Sequence, residues 1–398
     1  MDLTIVIPVL NEEGSVERVA RACLAARSRI TAETPVTAVH VVVVSDGSTD
    51  RTVEIAQAIE DITTVVFPVN QGYGAAIQRG WAEKPADLLA FLDGDGTCNP
   101  EFFVTLVREL ESRQADVALG SRMSKESRMP LLRRVGNWLF AMLLGLLSRQ
   151  AITDSASGMR VVRRSALKRL LPLPTGLHFT PAMSARALLG GVPIVEAPMP
   201  YAERVGRSKL SVVRDGLRFL AVIISAAAYV RPSRLTFPLI GLLLVTCLAL
   251  GIQPGLYYLL NGHLEEGMIY RFLFVAFLAD VGVFAFCATL VAEHAIALGL
   301  LRYGSFAKAA PWWWDHRGLR LYTWLAASAV GAGAWLVAPG VVSLWQTGAI
   351  PSSVMHWSRV IVAAFSGFTF LQIVSTRLLV GLLDGVSTRQ GFLLDDPS

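Results

Sequence analysis

The sequence predicts an α/β domain with a doubly wound, mostly parallel sheet, followed by interfacial helices and a helical membrane domain of four spans. Three observations carry this. Short β-branched runs alternate with helical patterns up to about Ser211, the signature of a parallel sheet with crossover helices. Hydrophobic residues make up 53% of the 398 residues, while charged residues are only 17%, below the ~25% of an ordinary soluble domain. The mean hydropathy of +0.49 is concentrated after Leu235, where apolar runs become long and almost free of charge. The expected division is 1–211 for the α/β domain, 212–234 for a juxtamembrane amphipathic helix, 235–384 for the spans and 385–398 for a cytoplasmic tail.

Candidate strands are Thr4–Pro8, Val39–Val44, Thr63–Val66 and Leu88–Leu92. In open parallel sheets ligands sit beyond the carboxyl ends of the strands, so the polar residues that follow each strand are the informative ones. The first is followed by Asn11-Glu12-Glu13 and the second by Asp46-Gly47-Ser48-Thr49-Asp50, which together set carboxylates at neighbouring strand ends. Turn and cap chemistry alone explains much of each segment. The third leads to Asn70-Gln71-Gly72-Tyr73-Gly74, whose glycines permit close backbone approach. The fourth ends in Asp93-Gly94-Asp95-Gly96. Two carboxylates one residue apart at a strand end suit a hard divalent cation, Mg2+ or Mn2+, that also bridges diphosphate oxygens.

Three basic or polar loops follow: Gly120-Ser121-Arg122, Asp154 to Arg160, and Arg204-Val205-Gly206-Arg207-Ser208-Lys209. Guanidinium groups pair well with phosphate oxygens, although surface arginines in loops need no ligand. Residues 131–149 begin with Arg133-Arg134, continue through Trp138, Leu139, Phe140 and Met142, and end at Arg149; a segment this short and basic at both ends is read as lying along a membrane surface. Val212–Arg231 carries Arg214, Asp215 and Arg218 on an otherwise apolar helix. An ordinary buried helix is the alternative for both.

Spans of roughly 20 residues or more fit Leu235–Leu260, Ile269–Leu301, Leu321–Trp345 and Val360–Leu383. The second contains Asp280, read as an inter-helix contact, and Glu293 and His294, read as lying beyond the membrane on an overlong helix. The connection 302–320 holds Arg302, Lys308, Arg317 and Arg320, whereas 261–267 and 346–356 have no Lys or Arg, so the basic loop and both termini are expected on the cytoplasmic side of the cell membrane. The absence of a signal-peptide pattern at Met1 agrees with a cytoplasmic first domain. Pro311 to Trp314 suits an interfacial aromatic anchor or packing against the α/β domain. The net charge of +5 is read as membrane-facing loops rather than nucleic-acid binding. Four cysteines without C-x-x-C spacing suggest neither a zinc site nor disulfides.

In order, Ile7-Pro8-x-x-Asn11-Glu12-Glu13, Asp46-Gly-Ser-x-Asp50, Asn70-x-Gly-x-Gly-x-Ala76, Asp93-x-Asp95, Gly120-Ser-Arg122, Asp154-x-x-Ser-Gly-x-Arg160 and Arg204-x-Gly-x-Ser-Lys209 resemble family 2 glycosyltransferases with the GT-A fold. The likeness is to the dolichyl-phosphate mannose synthase and polyprenyl-phosphate glucosyltransferase type, over about Leu3 to Leu210. It implies an inverting transfer of a hexose from a UDP- or GDP-sugar to polyprenyl phosphate. It further implies that Pro8, Asn11, Glu12 and Asp46 contact the nucleoside and that Gly74 and Gly94 border the donor. By the same likeness, Asp93 and Asp95 hold the metal and diphosphate, and Arg122 with Arg133 or Arg134 the acceptor phosphate. Asp154, Arg160, Arg204, Ser208 and Lys209 are assigned to acceptor and catalytic loops, with Asp154 as an orienting carboxylate. A homo-oligomer such as a tetramer is also implied.

The chain departs from the pattern at Ser45, where many relatives have Asp, at Thr97, where some have Gln, and at Leu177–Met183, where an acidic residue is usual. The last bears on which sugar is used. Two other readings stay open at this level: a family 2 transferase acting on a different acceptor, and a non-catalytic scaffold that binds a nucleotide sugar or lipid. The lack of a Q-x-x-R-W motif speaks against a processive synthase.

Overall fold

The computed structural model describes residues 1–124, 127, 129–148, 150–200, 212–261, 264–301, 316–351 and 354–394. The chain divides into two compact units, Met1–Val230 and Arg231–Ser398.

In the first unit seven strands form one sheet: β1 (Asp2–Val9), β2 (Ala38–Asp46), β3 (Thr63–Phe67), β4 (Leu88–Leu92), β5 (Val117–Ser121), β6 (Met159–Arg163) and β7 (Ile194–Pro198). Helices α1 (Val16–Glu33), α2 (Thr52–Gln57), α3 (Tyr73–Glu83), α4 (Phe103–Ser112), α5 (Leu131–Ser148), α6 (Arg164–Leu170), α7 (Phe179–Leu189) and α8 (Val212–Val230) complete it. The strand order is β3-β2-β1-β4-β6-β5-β7. All pairs are parallel except those of β6, which runs antiparallel to β4 and β5. This is the GT-A arrangement.

The sheet is covered on both faces, which explains why its strands read as nearly continuous apolar runs. In β1, Leu3, Ile5, Ile7 and Val9 pack with α1 and α4 on one face, and Val6 with Trp81 of α3 and Phe179 of α7 on the other. Two features of the topology build the site. The order in which strands are added reverses between the parallel strands β1 and β4, opening a crevice at their carboxyl ends. Because β6 is antiparallel, its start pairs with the end of β4, Met159 opposite Leu92, and so the loop before it reaches the same edge.

Helix α5 has two faces. Asn137, Ala141, Leu144 and Leu147 are buried in the unit, whereas Leu131, Leu132, Val135, Trp138, Leu139, Met142 and Leu146 are exposed. By length and composition alone α5 is long and apolar enough to cross a membrane, as are the four long helices that follow α8. Helix α8 clusters with the first unit.

The second unit consists of α9 (Ser233–Asn261), α10 (Ile269–Leu301), α11 (His316–Thr347) and α12 (Trp357–Leu394). Each expected span lies within one of these helices, and α12 continues into the segment expected as a tail. At ~1.5 Å per residue, the 33 residues of α10 exceed the ~30 Å hydrocarbon core. Asp280 of α10 accepts a hydrogen bond from Gln372 Nε2 of α12 at 3.1 Å. Glu293 and His294 are buried and have partners: Glu293 accepts from the amide of Ser233, the first residue of α9, at 3.2 Å, and His294 Nε2 lies 2.8 Å from Oδ1 of Asp384, just past the expected fourth span. Arg302, Lys308 and Pro311 to Trp314 lie outside the described residues.

Candidate active site

The turn after β1 is locked to the turn after β2. Asn11 adopts the left-handed conformation (φ 50°) that Asn tolerates better than most residues. Its Oδ1 accepts from the Thr49 amide at 2.8 Å, and its own amide donates to Ser48 Oγ at 3.1 Å. The Glu12 amide donates to Thr52 Oγ1, and the Arg51 amide to Glu13 Oε2. Asp46 is buried and receives the amides of Gln71 (2.6 Å) and Gly72 (3.0 and 3.2 Å), stapling the 70–73 turn to the end of β2. Gly72 itself has φ +109°, and a Cβ there would run into the Thr175 carbonyl, so no larger residue fits.

The acidic pair is fixed from several directions. Asp93 Oδ1 accepts from the Tyr73 hydroxyl at 2.7 Å. Burial, followed by the neighbouring Asp93 charge, pushes the Tyr73 phenol well above its ordinary pKa, so it remains a donor throughout the neutral range. Behind Asp93 stands Gly158, where a Cβ would lie only 2.6 Å from Oδ1. Asp95 Oδ1 accepts from the Thr97 amide (3.1 Å) and hydroxyl (2.7 Å), and the Gly94 carbonyl accepts from Ser15 Oγ at 2.7 Å. Thr97, one of the three departures from the family pattern, thus orients Asp95.

Arg122 is held as firmly. Arg122 grips Asp154 through Nε–Oδ2 (2.7 Å) and Nη2–Oδ1 (2.8 Å), and its amide donates to Oδ2 at 3.0 Å. Asp154 is fully buried; desolvation raises its pKa, but the Arg122 charge and the hydrogen bonds from Arg122 and Ala156 outweigh this and hold it below the ordinary value. Glu196 of β7 anchors this loop by accepting the amides of Thr153 (2.7 Å) and Asp154 (2.9 Å).

These parts surround one cavity of about 490 Å³. Pro8, Glu12, Asp46, Tyr73, Asp93, Gly94, Asp95, Arg122 and Arg133 line it, together with Asp215 and Arg218 of α8. The structure thereby separates the expected residues. Arg133 faces the cavity, whereas Arg134 Nη2 donates to the Met123 carbonyl at 3.3 Å. Asn11 does not line the cavity and acts through the turn it pins. Gly74 is a packing glycine, since a Cβ there would strike the Pro174 carbonyl and the Phe179 ring. Arg160, expected in a loop, is on β6 opposite Phe91 and fully buried, donating to the carbonyls of Ser157 and Ser155 at 3.0 Å each. Asp154 stands behind Arg122 rather than in the cavity wall. Arg204, Ser208 and Lys209 lie outside the described residues.

Sequence reasoning missed Tyr73, Asn137, Gly158 and Glu196. Glu196 had a signal, a lone acid within the apolar strand Ile194–Pro198.

The family model "Glycosyl transferase family 2" matches residues 4–171. The low-salt glycan biosynthesis hexosyltransferase Agl6 of Haloferax volcanii is 33% identical over 265 residues, which is 64% of this chain and 61% of that protein. The chain thus spans less than two thirds of that relative. The dolichyl-phosphate hexose transferase of the same organism is 34% identical over 220 residues, covering 54% of this chain and 89% of that one. The dodecaprenyl-phosphate galacturonate synthase of Rhizobium johnstonii is 27% identical over 240 residues, 58% of this chain and 68% of that one. With its GT-A sheet, its acidic strand end and a 34% identical relative matched over nearly its whole length, the chain belongs to glycosyl transferase family 2.

Proposed function

We propose that the protein transfers a hexose, with inversion, from a nucleotide diphosphate sugar to a polyprenyl phosphate at the cytoplasmic face of the cell membrane. The observation that carries this is a single cavity lined both by the carboxylates of Asp93 and Asp95 and by the guanidinium groups of Arg122 and Arg133. Arg133 belongs to α5, a helix that also carries an exposed apolar face. A phosphate held there on a lipid tail would have its headgroup in the cavity and its chain beside an interfacial helix. The two Haloferax and Rhizobium relatives named for dolichyl- and dodecaprenyl-phosphate chemistry support that acceptor class. The basic 302–320 connection supports the cytoplasmic side.

Among the described residues no group of three or more His, Cys, Asp and Glu side chains forms a metal cage. A pair of carboxylates is nevertheless the donor set expected for Mg2+ or Mn2+, which take one or two carboxylates and fill the shell with substrate phosphate oxygens and water. Asp93 and Asp95 would hold the ion, which would offset charge on the departing diphosphate. The acceptor phosphate is anionic at neutral pH, and its oxygen attacks the anomeric carbon as the bond to the diphosphate oxygen breaks. No proton has to be removed, so no general base is required. Asp154 serves the step by orienting Arg122.

The test is transfer of a radiolabelled sugar in detergent, with polyprenyl phosphate, Mg2+ or Mn2+, and a panel of UDP- and GDP-sugars. An organic-extractable, metal-dependent product from one donor is expected. Asp95→Asn should reduce it about 100-fold or more with folding intact, the scale of losing a main charge-stabilising group. Failure with every donor while nucleotide binding persists would remove the acceptor assignment.

A further inference from the structure

Arg122 and Arg133 come from separate elements, a loop after β5 and the first turns of α5, yet both line the same cavity. Something has to set α5 in register with the loop. Its other buried residues, Ala141, Leu144 and Leu147, are apolar, and apolar packing is non-directional, so it resists rotation or sliding of a helix only weakly. Asn137 is different. It is buried, one helical turn beyond Arg133, and both ends of its amide are used on the segment that carries Asp154. Nδ2 donates to the Thr153 carbonyl at 3.1 Å, and Oδ1 accepts from Ser155 Oγ at 3.1 Å. The carbonyl can only accept, which fixes the amide orientation.

Asp154, between those two partners, holds Arg122 by a two-point ion pair, and the Glu196 carboxylate fixes the loop from the opposite side. The path from helix to loop is therefore continuous: Arg133, Asn137, Thr153 and Ser155, Asp154, Arg122. Arg134 adds a second tie through the Met123 carbonyl, adjacent to Arg122.

We propose that Asn137 is a positioning residue for the acceptor: it sets the spacing of Arg122 and Arg133, so that one phosphate can engage both, without itself taking part in donor binding. This rests on the phosphate-acceptor reading above. A single buried polar residue that fixes register among apolar contacts is a recognised use of such groups.

The experiment uses the full chain in detergent. Wild type, Asn137→Ala and Ser155→Ala are compared in kcat/KM for polyprenyl phosphate, KM for the nucleotide sugar, nucleotide Kd and thermal midpoint. Misplacement by ~1 Å costs a reaction about 100-fold, so a helix loosened but still tied by Arg134 should lose about tenfold in acceptor kcat/KM, with donor KM and nucleotide Kd within about twofold. Ser155→Ala, which removes one of the two bonds, should move the same parameter less far. In an Arg133→Ala background, Asn137→Ala should add little, because the group it positions is gone.

Unchanged acceptor kinetics in Asn137→Ala, or acceptor and donor parameters falling together, would overturn the proposal. If Asn137→Ala fails to fold, Ser155→Ala decides, and wild-type acceptor kinetics in it would overturn the proposal equally. A wild-type protein inactive with polyprenyl phosphate would instead remove the functional reading, before any variant is compared.

Discussion

Gly158→Ala tests the acidic pair without touching either acid. The residue precedes β6, is buried, and its backbone lies against the Asp93 carboxylate. An added Cβ would sit 2.6 Å from Asp93 Oδ1 and closer still to Cγ and Oδ2. Comfortable carbon contacts begin near ~3.5 Å, so the carboxylate has to retreat by about 1 Å. It cannot do so while keeping its hydrogen bond to the Tyr73 hydroxyl at 2.7 Å. A displacement of that size in a group that positions the reacting centre costs about 100-fold in rate, or about 2.7 kcal/mol of transition-state stabilisation. Radiolabelled transfer gives kcat, and titration of the Mn2+ dependence shows whether the loss falls on metal use. Gly14→Ala, where a Cβ meets nothing within 4 Å, is the control and should behave as wild type. Near-wild-type turnover and metal dependence in Gly158→Ala would refute the argument that Asp93 must stay where the structure places it.

Asp154→Asn keeps the shape but removes the charge that pairs with Arg122; breaking a largely buried pair of this kind should destabilise the first unit by about 3 kcal/mol and weaken acceptor use while sparing nucleotide affinity, read by denaturation and by separate KM values. The Asp154 carboxyl is held below its ordinary pKa, so the stabilisation it gives is complete above the unfolded value of ~3.9 and is lost only as pH falls through the lower folded value. The acid limb of the rate profile should therefore follow the second ionisation of the acceptor phosphate near pH ~6, and a limb only at carboxylate pH would show that the dianion is not required. Arg160→Met removes two charge-assisted bonds to the Ser155 and Ser157 carbonyls, so a loss of about 2–4 kcal/mol in folding stability is expected by denaturant titration.

Four strands were legible: β1, β2 and β4 because their apolar runs are buried on both faces, and the half-exposed edge strand β3 because its run Thr63–Val66 is β-branched. The remaining three were not, because nothing local marks them. β5 is five residues that end in Gly120-Ser121, β6 carries Arg160 and Arg163, and β7 contains Glu196 and ends in proline. Each is a strand because neighbouring strands complete its hydrogen bonds, a tertiary cause that outweighs composition. The same limit governs the site. The motif order located the cavity but not the division of labour inside it. Asn11 and Gly74 read as ligand contacts, yet one pins Thr49 and the other lets α3 approach the 174–179 segment. Arg133 and Arg134 are adjacent in sequence and equivalent in charge; only the helical phase of α5 sends one to the cavity and the other to Met123. Arg160 read as a loop cation because it ends a Gly-containing polar segment, but the antiparallel course of β6 takes it under the sheet edge. Burial draws its pKa down to about 10, which leaves it charged at neutral pH and able to hold the Ser155–Ser157 backbone.

That backbone segment lies against Asp93 and carries the partner of Arg122. The proposed reaction brings a diphosphate and a phosphate together, and two unit charges ~5 Å apart repel by about 3 kcal/mol at an effective dielectric constant of 20. Compensation has to be prearranged, since side chains that must reorganise as the substrates meet would give much of it back. The 153–158 segment does this for both substrates at once. Its Gly158 end bounds the Asp93 carboxylate, proposed to serve the donor, and its Asp154 end fixes the Arg122 guanidinium, proposed to serve the acceptor. Arg160 below, Glu196 beside it and Asn137 of α5 above each hold that segment by two hydrogen bonds. Substitutions that loosen it should degrade donor and acceptor use in proportion to which end moves.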